Sequence, residues 1–460
     1  MDKHSLDSLP MKSAVVIGAG VTGLAAATTL KKAGYEVVLL EKHDRTGGCI
    51  HTVHQDGYLV ETGPNSMMVN NLQAAMLMGE IGLADELLLP SDLSKNRYIF
   101  KEGDMVTVPG GPMKFMKSAL LSGGGKLRLL KEPFIKKPDN LAEESLANFI
   151  LRRLGKEVLD FVAEPLVSGI FAGDPKRLSA KHAFPQVTEL EQQHGSLLRG
   201  AIKGAKAKPP GSFKAVMATF RNGMQSLTDK LAAQLGDSLV LNATVKEISH
   251  RGRWQVSWEA NGEIRTTEAN TVVIAVPAYV VRDLPLPRDV LDTLFDLHEI
   301  PYPPLTSISV GYRREQIQHS LEGFGVLVPG VEERKVLGVL FPSSVYAGRA
   351  PEGHVLLTVF IGGMRQPALA TLDEQEHLDL VKSELKAILG ATGDPAFVHR
   401  TLWRKAIPQY NVGHGDFLAM IEKAEGDHPG LHLAGNYRSG ISVGQCLANG
   451  IELAKKIASA

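Results

Sequence analysis

The sequence predicts an α/β chain, α+β overall, in which a βαβ unit at the start is completed by segments from far along the polypeptide. Three observations carry this. The apolar run Ala14-Val15-Val16-Ile17 leads directly into the glycine turn Gly18-Ala19-Gly20-Val21-Thr22-Gly23 and a helical pattern through about Lys32. A second strand-like run, Tyr35 to Leu40, ends in Glu41, 21 positions after Gly20. The chain also closes as it opens: the short strand Leu431 to Gly435 precedes Val443 to Ala458, where Leu447, Ala448, Ile451, Ala454 and Ile457 recur at helical spacing.

Each element has a physical reason. Gly18 allows the tight turn, Gly20 lets backbone approach a pyrophosphate, and Gly23 lets helix and strand pack closely. The helix N-terminus offers unpaired N–H donors to phosphate. Glu41 suits a ribose diol and would repel a 2′-phosphate, which argues against an NADP-type ligand. Together these define a Rossmann-like dinucleotide site. Arg45-Thr46-Gly47-Gly48 and Gly63-Pro64-Asn65-Ser66 follow, the latter after a short strand Tyr58 to Val60. An NAD enzyme has no need of a second glycine pair, whereas an extended FAD lying over further backbone does.

Downstream, strands return at Leu239 to Leu241, Thr244 to Ser249, Trp254 to Glu259 and Thr271 to Val276, the last with the β-branched content of a strand rejoining the first sheet. Alternation at Thr306 to Tyr312 and Val355 to Ile361 predicts a separate sheet, followed by a helix from about Leu372 to Leu389. Residues 91–210 have a helical, lysine-rich texture. Pro112 to Lys137 holds Lys114, Lys117, Lys126, Arg128, Lys131, Lys136 and Lys137 against one acid, Glu132, interleaved with leucines and phenylalanines. Arg199, Lys203, Lys206 and Lys208 follow without an acid. Such a stretch suits an anionic bilayer surface or an ordinary solvated helix face, and both readings stand.

Composition bounds the rest. At 460 residues the chain exceeds one core, so two or three lobes are expected. Hydrophobic residues at 44% and charged residues at 22% exclude wholesale disorder and a polytopic membrane protein. Lys+Arg and Asp+Glu are both 50, so no global field recruits nucleic acid. Cys49 and Cys446 have neither CxxC nor zinc spacing, which points to a reducing compartment and no structural metal. The histidines form no HExxH pair, and Gly125-Lys126 lacks the rest of a phosphate loop. The best span candidate, Thr271 to Val281, is shorter than the roughly 18 apolar residues a membrane span needs and contains Pro277. Residues 1–10 resemble neither a signal core nor a transit peptide and are read as a disordered leader.

With Gly435 and the helix beginning near Ile441-Ser442-Val443, the pattern resembles the FAD-dependent oxidases of the amine oxidase and protoporphyrinogen oxidase superfamily. Narrower segments are similar to those of protoporphyrinogen oxidases: Ser168-Gly169-Ile170-Phe171-Ala172-Gly173-Asp174-Pro175, Phe184-Pro185 with Leu190-Glu191 and His194-Gly195-Ser196, Gly323 to Pro329, Ile407-Pro408-Gln409-Tyr410 with Gly413-His414, and Leu433 to Asn436 with Cys446. The resemblance extends over nearly the whole chain from Met11. It implies a discontinuous FAD domain (residues 11–90, 211–295 and 396–460), a mixed-sheet substrate domain (296–395) and a helical, membrane-contacting domain (91–210). It further implies a six-electron oxidation of a porphyrinogen in three hydride transfers to non-covalent FAD, with dioxygen as acceptor and peroxide as product. The enzyme would rest on the cytoplasmic face of a membrane, with a homodimer compatible.

For the site, the resemblance places Arg97 on a substrate propionate, Leu327 and Phe341 as a sandwich around the tetrapyrrole, and Gly169 with its carbonyl toward the pyrrole nitrogens. The cofactor would meet Gly18 to Gly23 (through Ala19, Val21 and Thr22 as well as the glycines), Glu41, Lys42, Arg45, Gly47, Gly48, Cys49, Gly63 to Ser66, Val245 at adenine, Trp403 beside the isoalloxazine, and Gly435 with Ile441, Ser442 and Val443. Relatives often carry a basic or aromatic residue where Cys49 stands, which leaves a side-chain role there in doubt. No Asp, Glu or His stands out as a general base. Arg97 and His194-Gly195-Ser196 lean the substrate toward protoporphyrinogen over coproporphyrinogen.

Three rivals remain. Gly440-Ile441-Ser442-Val443-Gly444 spells a hydrolase GxSxG, but no histidine follows the serine, the last being His432. An amine or carotenoid oxidase is the second; Cys446 sits within a helix pattern rather than at a flavin-linking position. A non-catalytic dinucleotide-binding partner is the third and predicts no flavin spectrum.

Overall fold

The computed structural model describes residues 12–110, 112–137, 142–206 and 213–460. The leader expected at 1–10, Lys208 and the 210/211 boundary lie outside these, as do the side chains of Lys114 and Lys206.

A five-stranded parallel sheet forms the centre, in the order Leu239–Val240, Glu36–Leu40, Ser13–Ile17, Thr271–Ile274, Leu431–Leu433. Strands buried on both faces need unbroken apolar runs, and the three central strands supply them as Ala14–Ile17, Val37–Leu40 and Val272–Ile274. Val16, Leu39 and Val273 pack against helices Val21–Lys32, Gln225–Leu235 and Val443–Ser459. Val15, Ile17 and Ile274 face the antiparallel meander Thr244–His250, Trp254–Ala260, Glu263–Ala269, through Trp254, Val256 and Trp258. The helices from the two ends of the chain pack closely: a Cβ on Gly450 would fall 2.4 Å from the Thr22 carbonyl oxygen.

A seven-stranded mixed sheet stands beside it, ordered Phe397–Trp403, Leu305–Arg313, His354–Gly362, Gly338–Leu340, Gly325–Leu327, Tyr98–Lys101, Asp104–Thr107. One face packs under helix Glu374–Leu389 through Val326, Val339, Val359, Val381 and Leu385. That helix starts at an Asp373–Glu376 capping box and stops at Gly390 in a left-handed conformation. Two expected boundaries are corrected here. The hairpin 98–107 lies within the expected helical domain, and strand Phe397–Trp403 within the expected FAD domain, yet both hydrogen-bond into this sheet.

The helical lobe includes Gly123–Leu130, Leu146–Arg153, Glu164–Phe171, Pro185–His194 and Leu197–Lys206. Beside an apolar core that includes Phe149, Ile150, Leu159 and Val167, it buries a polar network. Arg153, fully buried, binds Glu191, the Ile135 carbonyl (2.9 Å) and the Gly195 carbonyl (3.0 Å). Glu132, the lone acid of the basic stretch, is also buried. Its oxygens accept from Ser196 Oγ (2.5 Å) and from the N–H groups of Leu197 (2.9 Å) and Leu198 (3.2 Å), capping the following helix. Glu191, Gly195 and Ser196 therefore help to hold this lobe together.

Candidate active site

The first glycine turn is fixed sterically. Gly18 has φ +105°, and a Cβ there would lie 2.7 Å from the Ala275 carbonyl oxygen; a Cβ on Gly23 would lie 2.0 Å from the Gly18 oxygen. At Gly20 nothing stands within 4 Å of that position, so backbone faces open space where the helix Val21–Lys32 begins. Gly20 provides no side-chain cap, which leaves that helix end suited to an anion. Val21 is half-buried, and Thr22 is buried toward the C-terminal helix.

Glu41 stands behind this turn. Its Oε2 accepts from the Ala19 N–H (2.8 Å) and its Oε1 from the His43 N–H (3.0 Å), leaving second lone pairs for a ribose diol. The Ala19 N–H is thereby committed to Glu41 rather than to phosphate. Lys42 is exposed. The N–H groups of Asn242 and Ala243 donate to His43 and Glu41 carbonyls, which brings the strand carrying Val245 to the same end of the sheet.

The second glycine loop closes on the first. Arg45 donates to the carbonyls of Thr46 (3.0 Å), Gly48 (2.7 Å) and Ile50 (3.2 Å), so its guanidinium shapes the loop. The Gly47 N–H donates to the Ala19 carbonyl (2.8 Å) and Gly20 pairs with Gly47, while a Cβ on Gly48 would sit 3.6 Å from Gly20 Cα. Cys49 has free surface, yet burial pushes its thiol pKa up, as for a side chain facing an interior void. A Cβ on Gly63 would meet the Cys49 oxygen at 2.0 Å and the Trp403 ring at 3.8 Å, and Trp403 Nε1 donates to the Thr62 carbonyl (2.8 Å). Residues 49, 63 and 403 thus converge. Pro64, Asn65 and Ser66 follow, half-buried.

From the other end of the chain, Gly435 continues the strand Leu431–Leu433, and the Ala434 N–H donates to the Ile274 carbonyl (2.8 Å). The Tyr410 hydroxyl donates to the Asn436 carbonyl and accepts from the Gly440 N–H (2.9 Å), pinning the loop before Ile441. Ser442 and Gln445 form a capping box for Val443–Ser459, and Gly444 sits against the Met68 carbonyl, just past Ser66. With its hydroxyl engaged by Gln445, Ser442 is a helix cap and not a nucleophile.

The second sheet supplies an apolar wall. Register places Leu327, Gly338 and Phe360 side by side, with Leu340 on the same face. Gly169, on helix Glu164–Phe171, closes onto this wall: a Cβ there would lie 2.7 Å from Leu327 Cδ2. Arg97 is exposed at the edge, its guanidinium 5.4 Å from the Phe324 ring centre. Phe324 in turn lines a narrow pocket with Leu340, Asn65 and Ser66. The structure corrects one expectation. Phe341 is 0% exposed and belongs with Val339 to the core under helix Glu374–Leu389, because successive residues of a strand point to opposite faces. Leu340 and Phe360 hold the wall positions, and the period-two pattern Val339-Leu340-Phe341 is the signal that separates them.

A helix N-terminus left open at Gly20, a carboxylate for ribose, and further backbone contributed by residues 47–49, 63–66 and 435–443 define an FAD-type oxidoreductase. The sequence profile of the flavin containing amine oxidoreductases matches residues 21–458. Protoporphyrinogen oxidase, mitochondrial, of Nicotiana tabacum is 36% identical, covering 100% of this chain and 96% of that protein. Coproporphyrinogen III oxidase of Bacillus subtilis (strain 168) is 29% identical, covering 95% and 96%. A crystal structure provisionally named protoporphyrinogen oxidase, from Exiguobacterium sp. 255-15, superimposes with TM-score 0.81 at 25% identity, covering 97% of this chain and 99% of that one. The chain belongs to the flavin containing amine oxidoreductases.

Proposed function

We propose that this chain oxidises protoporphyrinogen IX to protoporphyrin IX, with dioxygen as final acceptor and hydrogen peroxide as product. One observation carries the reading: the apolar wall of Leu327, Leu340 and Phe360, closed by Gly169 and edged by Arg97 on Phe324, reaches through Leu340 and Phe324 into a narrow pocket lined by Asn65 and Ser66 of the cofactor cleft. Bound FAD would supply the hydride acceptor. The protein's part is to hold a flat apolar macrocycle, exclude water and fix its orientation through a carboxylate. Arg97 suits that last task because a guanidinium binds a propionate in bidentate fashion.

Anaerobic bleaching of the flavin by each porphyrinogen in turn tests this. Faster bleaching by protoporphyrinogen supports it; faster bleaching by coproporphyrinogen III, a relative's substrate by name, would transfer the reading to that tetracarboxylate; no bleaching by either would end it.

The helical lobe is proposed to rest on the cytoplasmic face of a membrane. Leu127, Leu130, Phe134 and Ile202 are exposed, Phe134 at 80%, on helices and a turn that pack together. Lys126, Lys131, Lys136, Arg199 and Lys203 accompany them. Arg128 does not join this set, since it caps helix Leu146–Arg153 through the carbonyls of Arg152 (2.6 Å) and Arg153 (3.2 Å). Among the described residues no helix is long and apolar enough to cross a membrane. Co-sedimentation with anionic but not neutral vesicles, weakened by Phe134→Ser, is expected; equal recovery with neither vesicle would remove the membrane role.

A further inference from the structure

We propose that Glu61 receives the proton released at each oxidation step and that Thr52, its partner in the hairpin of strands Thr52–Gln55 and Tyr58–Glu61, passes it to an open groove. This rests on the porphyrinogen reading above and adds a proton route to it. Each step breaks a macrocycle C–H bond, whose electron pair leaves as hydride to FAD, and releases one proton: directly from an N–H bond in two of the three steps and, in the third, from the last meso carbon by way of a ring nitrogen, since the porphyrin keeps two of the four N–H groups. The proton therefore needs an acceptor, and an apolar slot offers none.

Glu61 ends strand Tyr58–Glu61, two residues before Gly63, and is 5% exposed. Its carboxylate lines the same narrow pocket as Asn65, Ser66, Phe324 and Leu340, which has room for about one water molecule. Both oxygens are oriented from behind: Oε1 accepts from the Met224 N–H (2.8 Å) and Oε2 from Thr52 Oγ1 (2.8 Å). The charges around it do not lock it as an anion. Arg349, 2% exposed, also lines the pocket but directs its guanidinium to Thr219 Oγ1 (3.2 Å) and the Phe220 carbonyl (3.0 Å). The Tyr346 hydroxyl there is buried without a partner. Burial accordingly outweighs Met224, Thr52 and Arg349 and lifts the carboxyl to about 7.

Thr52 faces two ways. The Gln225 N–H donates to its hydroxyl (3.2 Å), so the hydroxyl's own proton is free to point at Glu61. The same residue lines a solvent-open groove of about 450 Å³ with His54, Glu86, Asp229 and Lys230. Glu86 and Lys230 pair there at 3.2 Å, while burial raises Asp229, a second proton acceptor. Once Glu61 is protonated, rotation of the Thr52 hydroxyl lets it accept from the carboxyl and donate into the groove. One side chain thus separates a buried chamber at the reaction site from bulk water.

The test uses FAD-loaded protein. Wild-type anaerobic bleaching by protoporphyrinogen is expected to rise with pH through about neutrality and then level, since the base acts when deprotonated. Glu61→Gln should abolish that inflection and slow bleaching by roughly 10²- to 10⁴-fold, with partial recovery in Glu61→Asp. Thr52→Val should delay proton appearance in an indicator dye behind flavin bleaching. Infrared titration without substrate should show one buried carboxyl changing near neutral pH in wild type and Thr52→Val, and missing in Glu61→Gln. Wild-type bleaching rates and pH profile in Glu61→Gln, or no titrating buried carboxyl in wild type, would overturn the proposal, and the infrared result decides if Glu61→Gln loses flavin. A titrating carboxyl with no bleaching by any porphyrinogen would instead locate the failure in the substrate reading.

Discussion

Arg97→Ala separates a substrate anchor from an ordinary surface arginine. The guanidinium is exposed and stacks on Phe324 at 5.4 Å, so its removal costs the fold only about 0.5–1 kcal/mol and leaves the flavin cleft untouched. A charge-assisted pair with a propionate contributes roughly 1.5–3 kcal/mol, and about 1.4 kcal/mol is a factor of ten. KM for protoporphyrinogen should therefore rise by roughly 10- to 150-fold. The propionate is remote from the reacting carbons, so the contact is equally strong in ground and transition states and kcat should stay near wild type. Arg97→Lys keeps the charge but loses the bidentate fork and should fall between. Porphyrin fluorescence against substrate concentration, with flavin absorbance as the control for folding, provides the assay. Unchanged KM in Arg97→Ala at full flavin content would remove this residue from the site and, with it, the orientation assigned to the macrocycle.

Gly18→Ala should yield protein depleted of flavin, because a Cβ meets the Ala275 oxygen at 2.7 Å in a left-handed backbone; normal flavin stoichiometry after purification would contradict the steric account. Phe341→Ala should lower stability by about 3–5 kcal/mol, whereas Leu340→Ala should chiefly weaken substrate binding, a contrast that denaturant titration and KM measure directly. His414 is buried, stacked on Tyr410 and held neutral, its pKa lowered to about 4 by burial and by His182. Its contribution is fully present above the unfolded value near 6.5 and is lost as pH falls toward about 4, since the unfolded chain binds the proton more readily. His414→Phe should flatten the decline of stability between those pH values, and an unaltered decline would assign it to other groups.

What the sequence made legible follows from local chemistry. Ser13–Ile17, the glycine turn and the helix to Lys32 sit where alternating constraints agree: an apolar run, a turn only glycine can make, and a regular helical stripe. Strand Glu263–Ala269 has no apolar alternation to reveal it, because it is a largely exposed, polar edge held to Trp254–Ala260 by backbone pairing and polar cross-strand contacts such as Gln255–Glu268 and Ser257–Thr266. The hairpin 98–107 and strand 397–403 read as parts of neighbouring segments, since which sheet a strand joins is decided by partners far along the chain, Val326 for Tyr98 and Leu305 for Trp403. Phe341 missed by one position, and a one-residue slip exchanges cleft for core. Glu132 stands in the sequence as the one acid of a basic run, and Glu61 lies just past the expected strand Tyr58 to Val60 with nothing to single it out. Their burial depends on Arg153 and Ser196 in one case and on Thr52 and Met224 in the other, none of them sequence neighbours in a recognisable pattern.

These buried acids show how the molecule divides its labour. Glu132 faces Arg153 at 3.4 Å, and its remaining bonds go to Ser196 and a helix end, so the charge is balanced where it lies. Glu61 is given neutral donors and an arginine turned toward backbone, so its charge is left poorly balanced beside the cleft. Both cost desolvation free energy. The Met224 N–H at the start of helix Gln225–Leu235 needs an acceptor at residue 61, but an amide oxygen would meet that need as well as a carboxylate, so architecture alone does not call for a charge there. The difference in how two equally buried carboxylates are partnered is thus an argument for chemistry at one and architecture at the other. It also predicts opposite outcomes for the same change: a glutamine should be structurally costly at residue 132 and functionally costly at residue 61.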